Sequence, residues 1–195
     1  MLIHNGIEGL SRMTNSVVTM GTFDGVHQAH KVILNALVKS AYDLNASSVV
    51  ITFWPHPKLV LSPDKSSVKL LSTLDEKLTL LESCGIDHLI IIPFTKDFSE
   101  IAAEDFVNNI LVHKVGTKRL ILGYDHHFGK NRRGNLNFLE MNKAEFGFEV
   151  QEIEKQLIED SAISSTNIRM SLSAGDIVTA SNLLGREYSI SGKSR

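Results

Sequence analysis

The chain has 195 residues, 43% of them apolar and 22% charged, a composition that excludes disordered, fibrous and low-complexity classes. Lys and Arg number 20 against 22 Asp and Glu, a formal charge of −2, so no overall field draws the molecule onto nucleic acid or an anionic membrane, and any polyanion site must be local. The single cysteine, Cys84, excludes an internal disulfide and a thiolate zinc cage. Residues 1–13 lack a secretion-signal pattern and no apolar run approaches the ~18–20 residues of a membrane span, so a cytoplasmic, reducing location is expected.

In chain order, β-branched apolar runs predict five strands, at residues 16–20, 47–53, 88–92, 118–123 and 148–153. The intervening segments carry apolar residues at three- and four-residue spacing, which predicts helices at 28–44, 74–83, 103–112 and 135–146. Strands alternating with helices imply an α/β fold with a parallel, doubly wound sheet. Consecutive apolar residues at Ile90, Ile91 and Ile92, and at Leu120, Ile121 and Leu122, suit strands covered on both faces. Residues 59–72, interrupted by Pro63, Asp64 and several serines, read as a loop within one domain. Two helical stretches follow at 165–174 and 176–184, and residues 186–195 could begin a further strand.

The first predicted strand runs into GTFDGVHQAH, residues 21–30, a Gly-rich turn leading directly into a helix. Its amides and the helix N-terminus favour an anion, and His27 and His30, three apart, lie on one face and can point at the same phosphate. A connector with half-exposed histidines has the same spacing, and spacing alone weighs the two about evenly. A zinc reading of this pair is weaker, because no third and fourth ligand stands at a motif spacing. Asp24-Gly25 is also a hairpin signal, but the helical spacing of Val32, Ile33, Ala36 and Leu37 argues against a returning strand.

The second strand ends in TFWPHP, residues 52–57, where two prolines stiffen the segment around His56. Phe53 and Trp54 are placed to stack on a planar ligand, although core aromatics and a proline-bounded turn are the commoner use. The fourth strand leads into GYDHHFGKNRRG, residues 123–134, with three glycines, two histidines, Lys130, Arg132 and Arg133. A solvated basic loop or a nucleic-acid patch are the alternatives there, and the overall charge favours a small phosphorylated ligand. Five of the eight histidines fall in these three strand-end segments, which predicts one shared cleft. In ISSTNIR, residues 163–169, the hydroxyls either cap a helix or, with Arg169, hold a leaving pyrophosphate.

Taken in order, these segments resemble GxFDGxHxGH, FxPHP, GxDFxFG and ISSTxIR of the adenylyltransferase module of bacterial FAD synthetase, the bifunctional riboflavin kinase/FMN adenylyltransferase family. The first pattern belongs to a wider nucleotidyltransferase superfamily with an HxGH signature, whereas the second and third point to the flavin branch. The resemblance covers nearly the whole chain and implies a Rossmann-like nucleotidyltransferase fold, with FMN and ATP as substrates, FAD and pyrophosphate as products, and Mg²⁺ held mainly by phosphates and water. It implies catalytic roles for His27, His30 and Arg169, and an ATP border of Gly21, Phe23, Asp24, Gly25, Ser165 and Thr166. Phe53, His56, Pro57, Asp125 and Phe128 would face the flavin, with no protein ligand to a metal. The implied partners are the small molecules ATP and FMN, without nucleic acid or membrane.

Two positions depart from the pattern. Ala29 stands where the family has glycine, adding a Cβ where backbone closeness to nucleotide bears on ATP affinity, and His126 replaces an aromatic, which bears on flavin fit. The resemblance assigns residues 1–185 to the adenylyltransferase domain, and the LLGREYSISGK segment resembles the junction into the kinase module, so riboflavin kinase activity is not expected of this chain. The rival readings are a nucleotidyltransferase for another phosphorylated acceptor, against which the two flavin-side motifs argue, and a non-catalytic flavin or nucleotide sensor.

Overall fold

The computed structural model describes residues 1–64, 68–154 and 163–190. Among these, six strands, β1 (Leu2–Asn5), β2 (Ser16–Met20), β3 (Ser47–Trp54), β4 (His88–Pro93), β5 (Thr117–Gly123) and β6 (Glu149–Ile153), form a parallel sheet. Their order is β1-β4-β3-β2-β5-β6. From β2 the chain steps outward through β3 to β4 and then returns to add β5 on the other side, so the order reverses beside β2. Ligands of open α/β sheets bind at this kind of reversal, outside the carboxyl ends of the strands.

The helices are α1 (Gln28–Asp43), α2 (Pro57–Leu61), α3 (Leu74–Glu82), α4 (Lys96–Ser99), α5 (Ala103–Asp105), α6 (Leu136–Met141), α7 (Lys143–Phe146), α8 (Ser165–Ser173) and α9 (Ile177–Leu184). Period-two alternation along the strands divides the core between the two faces of the sheet. Val17, Val50, Leu89, Ile91 and Ile121 pack with Leu34 and Leu37 of α1 and Leu81 of α3. Val18, Val49, Ile51, Ile90, Leu120 and Leu122 pack on the opposite face with Phe106, Ile110, Leu139 and Phe146. Both faces are covered, as the consecutive apolar residues of β4 and β5 require. A third, smaller cluster joins α8 and α9 through Ile168, Ala180 and Leu184 to Leu71.

The departures from the predicted elements have local causes. The sheet has six strands rather than five because β1 pairs with β4, Leu2 opposite His88 and Asn5 opposite Ile91. Its Leu2 and Ile3 are exposed, so the strand carries no burial pattern. The predicted helix at 103–112 widens into a π-helical segment at Phe106–Val112, in which Phe106, Val107, Ile110 and Leu111 are all buried. The predicted helix at 135–146 breaks at Asn142, whose side-chain Nδ2 donates to the Phe138 carbonyl at 2.7 Å and competes with the backbone ladder.

The predicted loop at 59–72 begins inside α2, which has Pro57 in its first turn and is capped by His56; residues 65–67 lie outside the described set. Residues 186–190 form no strand. Instead Arg186 reaches back to Val26 and Tyr188 packs on the small cluster; residues 191–195 lie outside the described set. Among the described residues no helix is long and apolar enough to cross a membrane.

Candidate active site

Because β3, β2 and β5 are parallel neighbours, their carboxyl ends bring the 52–57, 21–30 and 123–134 segments to one edge of the sheet. The central turn is sharply bent: Phe23, Gly25 and Val26 have φ of 47°, 79° and 39°. A left-handed φ at a β-branched valine is strained by roughly 1–3 kcal/mol and persists only where the surroundings impose it. Phe23 and Val26 are buried, and a Cβ at Gly25 would lie 2.9 Å from Leu71. Lys77 Nζ donates to the Thr22 carbonyl at 2.8 Å, Gly25 N to Ser72 Oγ at 3.2 Å, and Ser165 Oγ to the Asp24 carbonyl at 3.1 Å. The turn is thus clamped by α3, the 69–72 segment and α8.

His27 occupies the N-cap of α1 but makes no side-chain cap bond, leaving the helix's amino-end amides open to an anion. Its ring stacks on His30 with centroids 3.6 Å apart and planes 17° from parallel. The Nδ1 atoms of both are buried without a hydrogen-bond partner. Burial, then Arg186 and Arg169, lowers the His27 pKa to about 4. Burial, then His27 and Lys77, holds His30 well below the usual imidazole range. Both rings are therefore neutral at pH 7 in the ligand-free chain, each offering a single N–H.

Asp24, 2% exposed, is the hub of the site rather than an open face of it. Its carboxylate accepts from Leu71 N at 2.9 Å and Ser72 N at 3.3 Å and is ion-paired to Arg169 Nη2. Arg169 Nε also donates to the Lys69 carbonyl at 2.5 Å. Through Asp24 the first and fourth sequence segments meet. The carboxylate is thereby committed to protein donors, and among the described residues no group of three or more His, Cys, Asp or Glu could hold a metal ion. These donors do not fit a resident cation. An open groove beside the hub is lined by Lys58, Ser62, Lys69, Thr166, Arg169 and Met170, three cations that suit an anionic ligand.

On the other side, Phe53 is half-buried, its ring 5.9 Å from Phe94 and 5.8 Å from Phe98. His56 Nδ1 accepts from Lys58 N at 3.1 Å, capping the helix that begins at Pro57. Burial, against the opposing pull of Asp24, brings the His56 pKa to about 4. Asp125 is exposed, and its carbonyl is 2.8 Å from His127 Nδ1. Phe128 is buried in the core, 5.6 Å from Phe106 and 6.2 Å from Phe138, so it anchors the 123–134 loop. His126 keeps an unpartnered buried Nε2, and burial lowers its pKa to about 4. Ala29 is buried in the core cluster of α1 with Phe23 and Leu34, which accommodates its methyl group.

Two site groups escaped the sequence reading. Lys77, 1% exposed, lies 5.2 Å from the Trp54 ring centroid, and burial, opposed by Asp24, lowers its pKa to about 8. Its one signal was its place one turn before buried Leu81 on the apolar stripe of α3. Arg186 reaches the Val26 carbonyl from beyond α9; nothing in its local sequence announces that contact.

The lowered histidine pKa values set a pH dependence. The unfolded chain binds protons at these imidazoles near pH 6.5, whereas folded His27 and His56 stay neutral down to about pH 4. Between those values the unfolded state holds more protons, so stability falls as pH falls. Chemical denaturation at pH 6.5 and 5 should show a loss of roughly 2 kcal/mol for each such histidine. Equal stability at the two values would contradict neutral burial.

Residues 10–167 match the sequence model of FAD synthetase. The bifunctional riboflavin kinase/FMN adenylyltransferase of Buchnera aphidicola subsp. Schizaphis graminum is 40% identical over 195 residues, covering 99% of this chain and 62% of that protein. The Escherichia coli K12 protein of the same name is 32% identical over 195 residues, with the same shares of 99% and 62%. The chain thus spans less than two thirds of these relatives. A crystal structure described as a macrolide-efflux protein from Streptococcus pneumoniae superposes with a TM-score of 0.84 at 26% identity, over 96% of this chain and 72% of that one. With this match over most of its length, the chain belongs to the FAD synthetase family.

Proposed function

We propose that the chain is an FMN adenylyltransferase, joining FMN and ATP to give FAD and pyrophosphate, with residues 1–185 as its catalytic domain. The observation that carries this reading is the neutral, stacked His27–His30 pair at the amino end of α1, flanked by Arg169 at the point where strand order reverses. Family membership supplies the substrate class. The FMN phosphate attacks the α-phosphorus of ATP in line; the new P–O bond forms as the bond to the β-phosphate breaks, and pyrophosphate leaves. A phosphate monoester with second pKa about 6 is mostly dianionic at neutral pH, so no general base is required. Catalysis then consists of positioning and charge neutralisation.

His27, His30 and the open amides of α1 donate to the triphosphate, and an anion at this place favours the protonated imidazoles. Gly21, Phe23, Asp24 and Gly25 form the turn bordering ATP, while Arg169, Ser165 and Thr166 close on the leaving pyrophosphate from α8. Phe53, His56 and Pro57 line the flavin side from β3, with Asp125 opposite and Phe128 holding that loop in place. Mg²⁺ is assigned to the nucleotide substrate, since among the described residues no group of three or more His, Cys, Asp or Glu could hold it. The enzyme is a cytoplasmic one acting on small molecules, without nucleic acid. Flavin chromatography after incubation with FMN, ATP and Mg²⁺ should show FAD; folded protein with no FAD would overturn the reading.

A further inference from the structure

We propose that Arg186 is a polyphosphate-binding residue of this site, a second guanidinium that α9 delivers to the amino end of α1 beside His27. The proposal rests on the adenylyltransferase reading only for the identity of the polyphosphate as ATP. Arg186 lies outside residues 10–167, the segment that the family match covers. The carboxyl end of α9 is nevertheless docked on the turn that holds His27. Gln28 Nε2 donates to the Asn182 carbonyl at 2.5 Å. A Cβ at Gly185 would lie 2.8 Å from Gln28 Cγ, and one at Gly25 would lie 3.5 Å from Leu184. Gly185, with φ of 68°, ends the helix and turns the chain so that Arg186 points back.

Arg186 Nη1 then lies 3.5 Å from the Val26 carbonyl, one residue before His27. This long bond employs one of the five N–H groups of a guanidinium. Among the described residues, the titratable groups whose charge bears on Arg186 or feels it are His27, whose proton affinity it lowers, and Glu76 of α3. Arg169, whose charge also bears on His27, is already paired with Asp24. Among the described residues around the amino end of α1, the cations Arg186, Arg169 and Lys77 therefore outnumber the carboxylates Asp24 and Glu76, beside two unpartnered imidazole nitrogens. A polyphosphate supplies the missing negative charge and acceptors.

The test compares wild type with R186Q and R186K, measuring equilibrium binding of inorganic tripolyphosphate, KM for ATP and for FMN, and the His27 titration by NMR. R186Q should weaken tripolyphosphate binding and raise the ATP KM at least tenfold, with the FMN KM within twofold. Its ligand-free His27 pKa should rise, whereas R186K, which keeps the charge, should hold it low and retain part of the binding. If R186Q binds tripolyphosphate as tightly as wild type and only melts earlier, Arg186 is a structural tie and the proposal falls. FAD synthesis by R186Q with an unchanged ATP KM overturns the proposal and leaves the adenylyltransferase reading intact. Arg186-dependent tripolyphosphate binding in a chain that makes no FAD does the reverse.

Discussion

Asp24→Asn is expected to lower the melting temperature by roughly 10 °C and to reduce FAD formation to background. The carboxylate is buried and accepts from Leu71 N, Ser72 N and Arg169 at once. An amide has the same shape, but its NH₂ must face one of these donors, and Arg169 loses its counter-charge. Breaking a buried ion pair on one side costs roughly 3–5 kcal/mol, which for a chain of this size corresponds to about 2–4 °C per kcal/mol. The same change loosens the 69–72 segment and releases Arg169 of α8 from its partner, so the guanidinium proposed to hold pyrophosphate loses its position along with the stability. Calorimetry of the purified variant, read beside its activity, checks both parts; an unchanged melting temperature would mean that Asp24 is not the hub described.

His27→Ala is expected to reduce kcat by about 10²–10³, the usual loss when one donor to developing charge is removed, with the KM for FMN within twofold. His27 stands at the cap of α1 and its ring covers His30, the place proposed above for the triphosphate rather than for the flavin. His27→Gln, which retains an N–H of similar reach, should recover part of the rate. Steady-state kinetics with each substrate varied separately makes the comparison, and wild-type turnover in His27→Ala would remove its proposed role.

What could be read in the amino-acid order was set by which features are local. β2 was legible to the residue, because SVVTM is buried throughout and bounded by a Gly-rich turn. The meeting of three strand ends at one edge followed from parallel order alone. β1 was not legible, since its exposed Leu2 and Ile3 owe their conformation to pairing with a strand some 86 positions away. The break at Asn142 depends on one side chain competing for the Phe138 carbonyl, which helical periodicity does not record.

Within the site, His27, His30, His56 and Arg169 were visible as types at a spacing, and the structure supplies how they meet. The ties of Asp24 to Leu71 and Ser72 span 47 and 48 positions, and that of Arg186 to Val26 spans 160. Lys77 stands on the apolar stripe of α3, but what a lysine does there shows only once the Thr22 carbonyl and Trp54 are seen around it. Phe128 shows in the sequence only as an aromatic of the 123–134 segment, and its packing against Phe106 and Phe138 is visible only in the fold.

The most direct measurement follows the phosphorus. FMN and Mg²⁺ are incubated with the protein and ATP labelled either at the α- or at the γ-phosphate, and the flavins and phosphates are separated. In-line attack at the α-phosphorus predicts α-label in FAD and γ-label in pyrophosphate, in equal molar yield. FAD without α-label, or α-label released only as free AMP with no labelled flavin, would contradict adenylyl transfer to FMN.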